Sequence, residues 1–181
     1  MELNILDWFQ TLHTPILDKI MISITKLGDA GIFWIILTLL FLIIPKMRKT
    51  GIIMAAALIM DLLICNVVIK NLVARTRPYD VNTGVHLLVA KLRDYSFPSG
   101  HTAASFASVA ALYLAGEKKL WKPALMIACL IAISRLYLYV HYPTDVLGGV
   151  ILGSLAGFAG YQVVQFLEAG FSGRKNAGKQ K

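Results

Sequence analysis

Long apolar runs alternate with short polar joints along this chain. The runs lie near residues 30–45, 51–69, 99–115, 123–134 and 146–167. A helix needs about 20 mostly apolar residues to cross the hydrocarbon core, with a range of roughly 17–25. Most of these runs reach that length once their flanks are counted. A helix at the surface of a soluble bundle needs a polar face, and most of these have none. The pattern therefore predicts an all-α, polytopic membrane helix bundle of about six segments, the first being the weakest. In that first segment Ile5, Leu6, Trp8, Phe9, Leu12, Ile16, Leu17 and Ile20 are interrupted by Asp7, Asp18 and Lys19. This reads as an interfacial helix leading into a short span after Pro15, and the pattern leaves open whether residues 1–27 span or lie on the membrane. No basic stretch precedes an apolar core there, so a cleaved signal peptide is not expected. The division expected is one membrane-embedded domain, 1–170, and a basic tail, 171–181.

Composition supports this reading. Of the 181 residues, 57% are apolar, against about 45–50% in a typical soluble domain. The formal net charge is +8, but the cations sit in the joints, which argues for membrane orientation and against nucleic-acid binding. Lys46, Arg48 and Lys49, then Lys118, Lys119 and Lys122, then Arg174, Lys175, Lys179 and Lys181 fall on one face if every segment spans. The positive-inside rule makes that face cytoplasmic and the C-terminus with it. Cys65 and Cys129 lie inside expected spans and read as small packing residues.

Three short patterns carry candidate chemistry: Lys70 followed after six residues by Arg77-Pro78; Pro98-Ser99-Gly100-His101; and Ser134-Arg135, five residues, His141, three residues, Asp145. Each alone is weak. In an alternating bundle, however, all of them land at one membrane face, opposite the ten basic residues. Gathering that many ionisable groups in a membrane is costly unless they serve a site. Lys70, Arg77 and Arg135 make a cationic clamp, the arginines offering planar forks for phosphate oxygens and the lysine a point charge. Ser99-Gly100 opens a helix whose free N–H groups attract an anion, although Ser99 is also an ordinary N-cap. Pro143 marks the first helical position and puts Asp145 at the third, from where its carboxylate reaches back to His141, unless it merely caps the helix. An imidazole so held is an activated nucleophile. His101 is suited to general acid–base work. No carboxylate cluster accompanies these groups, so neither a metal nor another cofactor is expected.

At these residues the chain resembles the type 2 phosphatidic acid phosphatase family, whose three signature blocks stand intact and in order over residues 70–145. The resemblance implies a metal-independent membrane phosphatase with a phosphohistidine intermediate. It maps the nucleophile onto His141, its orienting partner onto Asp145, the acid/base onto His101, and phosphate binding onto Lys70, Arg77, Ser99, Gly100 and Arg135. Small bacterial members act on undecaprenyl diphosphate, phosphatidylglycerol phosphate or phosphatidate. An outward-facing site with a compact loop looks most like an undecaprenyl diphosphate phosphatase of the plasma membrane. The alternatives are a lipid-linked phosphotransferase, which keeps the chemistry, and a carrier of phosphorylated lipid, which would not need the His141–Asp145 pair. The motifs do not choose between monomer and homodimer.

Other features carry expectations of their own. Asp61, with Asn66 nearby, is an intramembrane acid too deep for the phosphate site, so it is read as a structural hydrogen-bonding group or as part of substrate access. Gly149, Gly153 and Gly157 form a small-residue stripe, expected to pack within the bundle rather than across a dimer. Residues 79–97, with Val85, Leu87, Leu88, Val89 and Leu92 beside Lys91 and Arg93, read either as a short surface helix guiding lipid to the site or as a simple connection.

Overall fold

The computed structural model describes the backbone of residues 1–177 and side chains as far as residue 170; the basic residues of the expected tail lie outside the described side chains. The described residues are almost wholly helical and contain no strand. Two short helices open the chain, α1 (Glu2–Gln10) and α2 (Pro15–Leu27). Pro15 sits at the first position of α2, and the Thr14 hydroxyl accepts from Leu17 N at 3.2 Å, an N-cap that starts the second helix. A 3₁₀ turn, Asp29–Gly31, then leads into α3 (Ile32–Ile43), with Gly31 at φ 67°, a left-handed conformation for which glycine carries no Cβ penalty.

After Pro45 the chain runs helically to Val81. This run comprises a 3₁₀ turn, α4 (Arg48–Asp61), a wide-turned π segment (Leu62–Ile69), α5 (Lys70–Val73) and, after a break at residues 74–77, α6 (Pro78–Val81). Then come α7 (Gly100–Leu114), α8 (Trp121–Tyr137) and α9 (Pro143–Ala177). Residues 82–99 hold no helix. Within 79–97 helix is limited to the last three residues of α6. Two anchors explain why: Arg77 binds the carbonyls of Asp94 and Tyr95, and the Tyr79 hydroxyl bonds the backbone of Leu92. These contacts pull the segment down as an irregular cover.

Pro45–Val81 and Pro143–Gly170 are each long and apolar enough to cross a bilayer, and α2 with α3, bent by 44°, passes as a third crossing. By length α7, with 15 residues, and α8, with 17, are shorter. Six crossings are therefore an expectation of the pattern, whereas among the described residues length and apolarity together count two or three. The outward faces of α3, the π segment and α9 present Ile36, Leu39, Leu62, Leu63, Ile151 and Leu155, each about half exposed. So continuous an apolar surface suits lipid and not water.

Two cores hold the bundle. The larger surrounds Trp34, Ile53, Met54, Leu112 and Ile131, with Trp34 Nε1 donating to the Ser105 hydroxyl at 2.9 Å so that the buried indole is satisfied. The smaller gathers Leu6, Tyr79, Tyr137, Tyr139, Val140 and Tyr142 at the end where α8 turns into α9. Its hydroxyls face acids of the first two helices: Tyr137 donates to Asp18 at 2.6 Å and Tyr139 to Asp7 at 2.7 Å. Asp7 and Asp18, read from the sequence as interruptions of a span, are thus the polar anchors of α1 and α2.

The glycine stripe of α9 packs within the bundle. A Cβ on Gly149 would come within 2.8 Å of Ser99 O, one on Gly153 would strike the backbone of Ala103, and one on Gly157 would come within 2.6 Å of Ala107 O. One turn on, Gly160 meets the Ala57 backbone of α4. Close approach through small residues gives helices in lipid their packing energy. Here it fixes α9, and with it Asp145, against α7. Cys65 is buried as expected, whereas Cys129 is exposed on the outside of α8.

Candidate active site

All three sequence blocks converge at one end of the bundle. Lys70 and Arg77 are only 6% and 2% exposed. Lys70 stands where the π segment returns to α-helix. Arg77 precedes Pro78, and the clash a proline imposes on its neighbour keeps Arg77 extended, at φ −75° and ψ 152°. From there the guanidinium enters the bundle. One terminal nitrogen donates to Val140 O at 2.7 Å and lies 3.3 Å from His141 Nε2. The other donates to Asp94 Oδ1 at 2.6 Å, while Lys70 Nζ donates to Asp94 Oδ2 at 2.5 Å.

His141 is buried in the joint between α8 and α9. Its Nδ1 lies 3.6 Å from Asp145 Oδ2, beyond hydrogen-bond length, and has no other partner. Burial pushes the imidazole down to about 3; Arg135 and Arg77 act in the same direction, and Asp145 opposes them. The ring is therefore neutral, with Nε2 toward the Arg77 fork and Nδ1 toward a carboxylate. Asp145 stands at the third position of α9, as its spacing from Pro143 predicts. It caps the helix and faces His141 without a hydrogen bond to it. Oδ2 accepts from Tyr142 N at 2.9 Å and from the Ser96 hydroxyl at 2.5 Å, and Oδ1 accepts from Arg75 at 2.6 Å. With that many donors the carboxylate is fixed.

His101, in the first turn of α7, has its Nε2 2.9 Å from Asp29 Oδ1. Gly28 makes room for that ring, since a Cβ there would come 2.6 Å from His101 Cδ2. Gly100 likewise allows the start of α7 to pass Asn66, whose Oδ1 would be 2.7 Å from an added Cβ, with Lys70 Nζ 3.7 Å away.

Two expected phosphate-site residues are placed differently. Ser99 begins α7, but its hydroxyl accepts from Thr102 at 2.9 Å and its N–H donates to Asp145 O at 3.0 Å. It ties α7 to α9, and the helix-opening N–H groups left for an anion are those after it. Arg135 is buried, donates to the Thr25 hydroxyl and leaves Nε without a partner. It is tied to α2 through Thr25, and its charge is felt at His141.

The sequence reading also missed residues. Arg75 stands outside the three blocks, yet it donates to Asp145 at 2.6 Å, to Glu2 at 2.6 Å and to Thr144 at 2.7 Å, and stacks on the Tyr142 ring. Ser96, Asp29 and Asp94 also lie at the site. Asp29 is the only acid in its joint, the one signal that could have pointed to it; nothing in the spacing marks Ser96.

A cavity of about 650 Å³ begins among Lys70, Arg77, His101 and His141 and descends between α3 and α4 past Ile35, Leu39, Leu58, Ile59 and Leu62. Ile35, Leu39, Ile59 and Leu62 are also exposed on the bundle's outside, so the cavity opens sideways toward lipid. Asp61 lines it with one carboxylate oxygen unpartnered, and Asn66 lines it above. Among the described residues, no three His, Cys, Asp or Glu side chains gather as a metal site would need.

Residues 50–169 match the PAP2 superfamily. The chain is 33% identical to an undecaprenyl-diphosphatase of Sulfolobus acidocaldarius over 81% of this chain and 70% of the relative. It is 35% identical to the phosphatidylglycerophosphatase B of Bacillus subtilis over 81% and 75%. The fold matches that of LpxE from Aquifex aeolicus with a TM-score of 0.76, over 89% of this chain and 94% of that one, at 24% identity. It also matches a transmembrane PAP2-type phosphatidylglycerolphosphate phosphatase from Bacillus subtilis, with a TM-score of 0.70 over 92% and 83% at 30% identity. With its three blocks folded into one site inside a helical membrane bundle, the chain belongs to the PAP2 superfamily of phosphoric ester hydrolases.

Proposed function

We propose that this protein hydrolyses a lipid phosphate or diphosphate at the outer membrane face, without a metal, through a phosphohistidine on His141, and that undecaprenyl diphosphate is its substrate. The observation that carries the proposal is the placing of the neutral His141 ring between Asp145 and Arg77, at the polar end of a cavity whose apolar end opens to lipid. In the first step His141 Nε2 attacks phosphorus as the bond to the leaving oxygen breaks, and His101 protonates that oxygen. Asp145 stabilises the imidazolium that forms. In the second step His101 takes a proton from water, the water oxygen attacks phosphorus, and the N–P bond breaks to release inorganic phosphate and neutral His141. Lys70 and Arg77 hold the equatorial oxygens, where the charge of the transition state lies. Asp29 orients His101 as Asp145 orients His141. Arg135 adds positive charge from behind the site.

Sidedness is supported by the basic joints at the other end, where Lys49 pairs with Glu168 at 2.6 Å and Thr50 with Glu117 at 2.7 Å. The undecaprenyl assignment is supported by the similarity to an undecaprenyl-diphosphatase. The similarity to a phosphatidylglycerophosphatase makes phosphatidylglycerol phosphate the second substrate to test.

Two experiments in EDTA test this. Purified protein should release phosphate from undecaprenyl diphosphate faster than from phosphatidylglycerol phosphate or phosphatidate; the reverse order would reassign the substrate, and no release from any would refute the hydrolase. Rapid mixing with nitrophenyl phosphate separates the histidines. Nitrophenolate needs little help from an acid, whereas general acid catalysis gives about 10²–10⁴-fold for a poor leaving group. His101→Ala should give one burst of nitrophenolate per enzyme and a trapped phosphoenzyme, and His141→Ala no burst. A burst surviving in the His141 variant instead would exchange the two roles.

A further inference from the structure

Lys70 and Arg77 do not stand open in this structure. Each oxygen of the Asp94 carboxylate takes one of them, Oδ2 at 2.5 Å from Lys70 Nζ and Oδ1 at 2.6 Å from Arg77. The two oxygens thus hold the positions that two phosphate oxygens would need. Asp94 belongs to the non-helical cover over residues 82–99, and its side chain is half exposed while both cations are buried. The cover is held independently of that side chain, because Arg77 Nε donates to Asp94 O at 2.8 Å and its terminal nitrogen to Tyr95 O at 3.2 Å. The carboxylate can therefore swing outward while the backbone stays. Burial alone would raise its pKa, but the hydrogen bond from Lys70 and the charges of Lys70 and Arg77 outweigh that and hold it down at about 2. It meets any incoming anion fully charged.

The geometry points to Asp94 as an internal competitor, an anion that every phosphate must displace from Lys70 and Arg77 and that so sets an affinity threshold for entry. The inference rests on the reading of these two cations as the phosphate seat. The cavity opens sideways into a bilayer whose phosphodiester lipids are monoanions at high local concentration. A monoanion exchanging with a carboxylate trades one charge for one and gains little. A terminal phosphate, at −1.5 to −2 charge near neutral pH, or a diphosphate, gains the excess. By weakening all anions by the same factor, Asp94 leaves the surrounding phosphodiesters below occupancy and the substrate above it. Without it, the surrounding lipid would inhibit.

The test is equilibrium binding by calorimetry in detergent at about pH 8, with inorganic phosphate and short-chain phosphatidylglycerol as probes. Asp94→Asn keeps the shape and removes the charge. It should tighten both probes roughly tenfold, the order expected when a competing charge-assisted contact is lost, and Asp94→Glu should leave wild-type affinities. A carboxylate that only braced the cover would, when removed, weaken both probes or leave them unchanged, and either result overturns the inference. The wild-type protein labelled with ¹³C-aspartate gives a second reading that needs no variant. Phosphate addition should shift one carboxylate stretching band, and an unshifted spectrum at saturating phosphate also overturns the inference. Turnover keeps the two readings apart: binding that changes as stated with no hydrolysis of any lipid phosphate sinks the proposed function alone, while hydrolysis with unchanged affinities sinks this inference alone.

Discussion

The His141 ring is where one residue's surroundings decide both chemistry and stability. Its folded pKa, about 3, lies below the ordinary imidazole value of about 6.5. Between those values the unfolded chain binds a proton that the folded chain refuses. The stability contributed by neutral, buried His141 is therefore complete above about pH 6.5 and lost as pH falls from there toward 3. Nitrogen NMR of histidine-labelled protein should show His141 still neutral at about pH 5, where an ordinary imidazole is protonated. A ring that titrates near 6.5 would remove the basis for treating it as a ready nucleophile in mildly acidic solution. Spacing made His141 and Asp145 legible, because Pro143 fixes the helical register. Spacing could not reveal that Arg75 and Ser96 also hold Asp145. Their contacts join residues 70 and 49 positions apart in the chain, and neither has a spacing that demands a partner.

At the scale of elements, the blocks meet because α9 lies flush on α7. The glycines at 149, 153 and 157 allow this, and the reading of that stripe as packing inside the bundle follows from its four-residue period, which keeps one face small. A branched side chain at Gly153 would strike the Ala103 backbone, and backbone cannot turn aside as a side chain can. Gly153→Val should cost about 1–3 kcal/mol by overpacking and, by tilting α9, separate Asp145 from Ser99 and lower activity. Gly170→Ala, with no atom within 4 Å of the new Cβ, should instead be neutral or slightly stabilising, as alanine is in a helix. Thermal midpoints in detergent compare the two; equal midpoints would show that α7 and α9 do not depend on this contact. Of the two readings the sequence left for the long loop, the structure shows the simple connection. Val85, Leu87, Leu88 and Val89 are apolar enough for a surface helix, but they pack on the tyrosine-rich core while Arg77 and Tyr79 take the backbone of residues 92–95. Tertiary anchors over a short segment outweigh propensity. Among the described residues, three non-glycine residues at positive φ, Ala30, Ala74 and Tyr139, flank the joints that carry Asp29, Arg75 and His141. Such strain gathers where a joint is forced to aim side chains, and no residue pattern announces it.

At the scale of the whole molecule, the bundle has one polar, aromatic end holding the site and one basic end holding Lys49, Thr50, Glu117 and Glu168. The direction of threading is what the basic joints argue for, and it decides which pool of lipid the enzyme meets. The two ends can be marked without disturbing either. Thr83 and Lys118 are both exposed, Thr83 on the cover near the site and Lys118 in the joint between α7 and α8. In a background lacking Cys65 and Cys129, a cysteine at position 83 should react with an impermeant thiol reagent added to intact cells, and one at position 118 only after the membrane is opened. Cys129 must be removed because it is exposed on the lipid-facing side and would react with any reagent that partitions into the bilayer. Substrate turnover gives the same answer independently, since inverted vesicles should hide the site and right-side-out vesicles present it. Labelling in the opposite order would put Lys70, Arg77 and His141 on the cytoplasmic side. The lipid phosphate consumed would then be one displayed in the inner leaflet, and the excess of basic joints would have to be read as binding anionic headgroups at the outer surface.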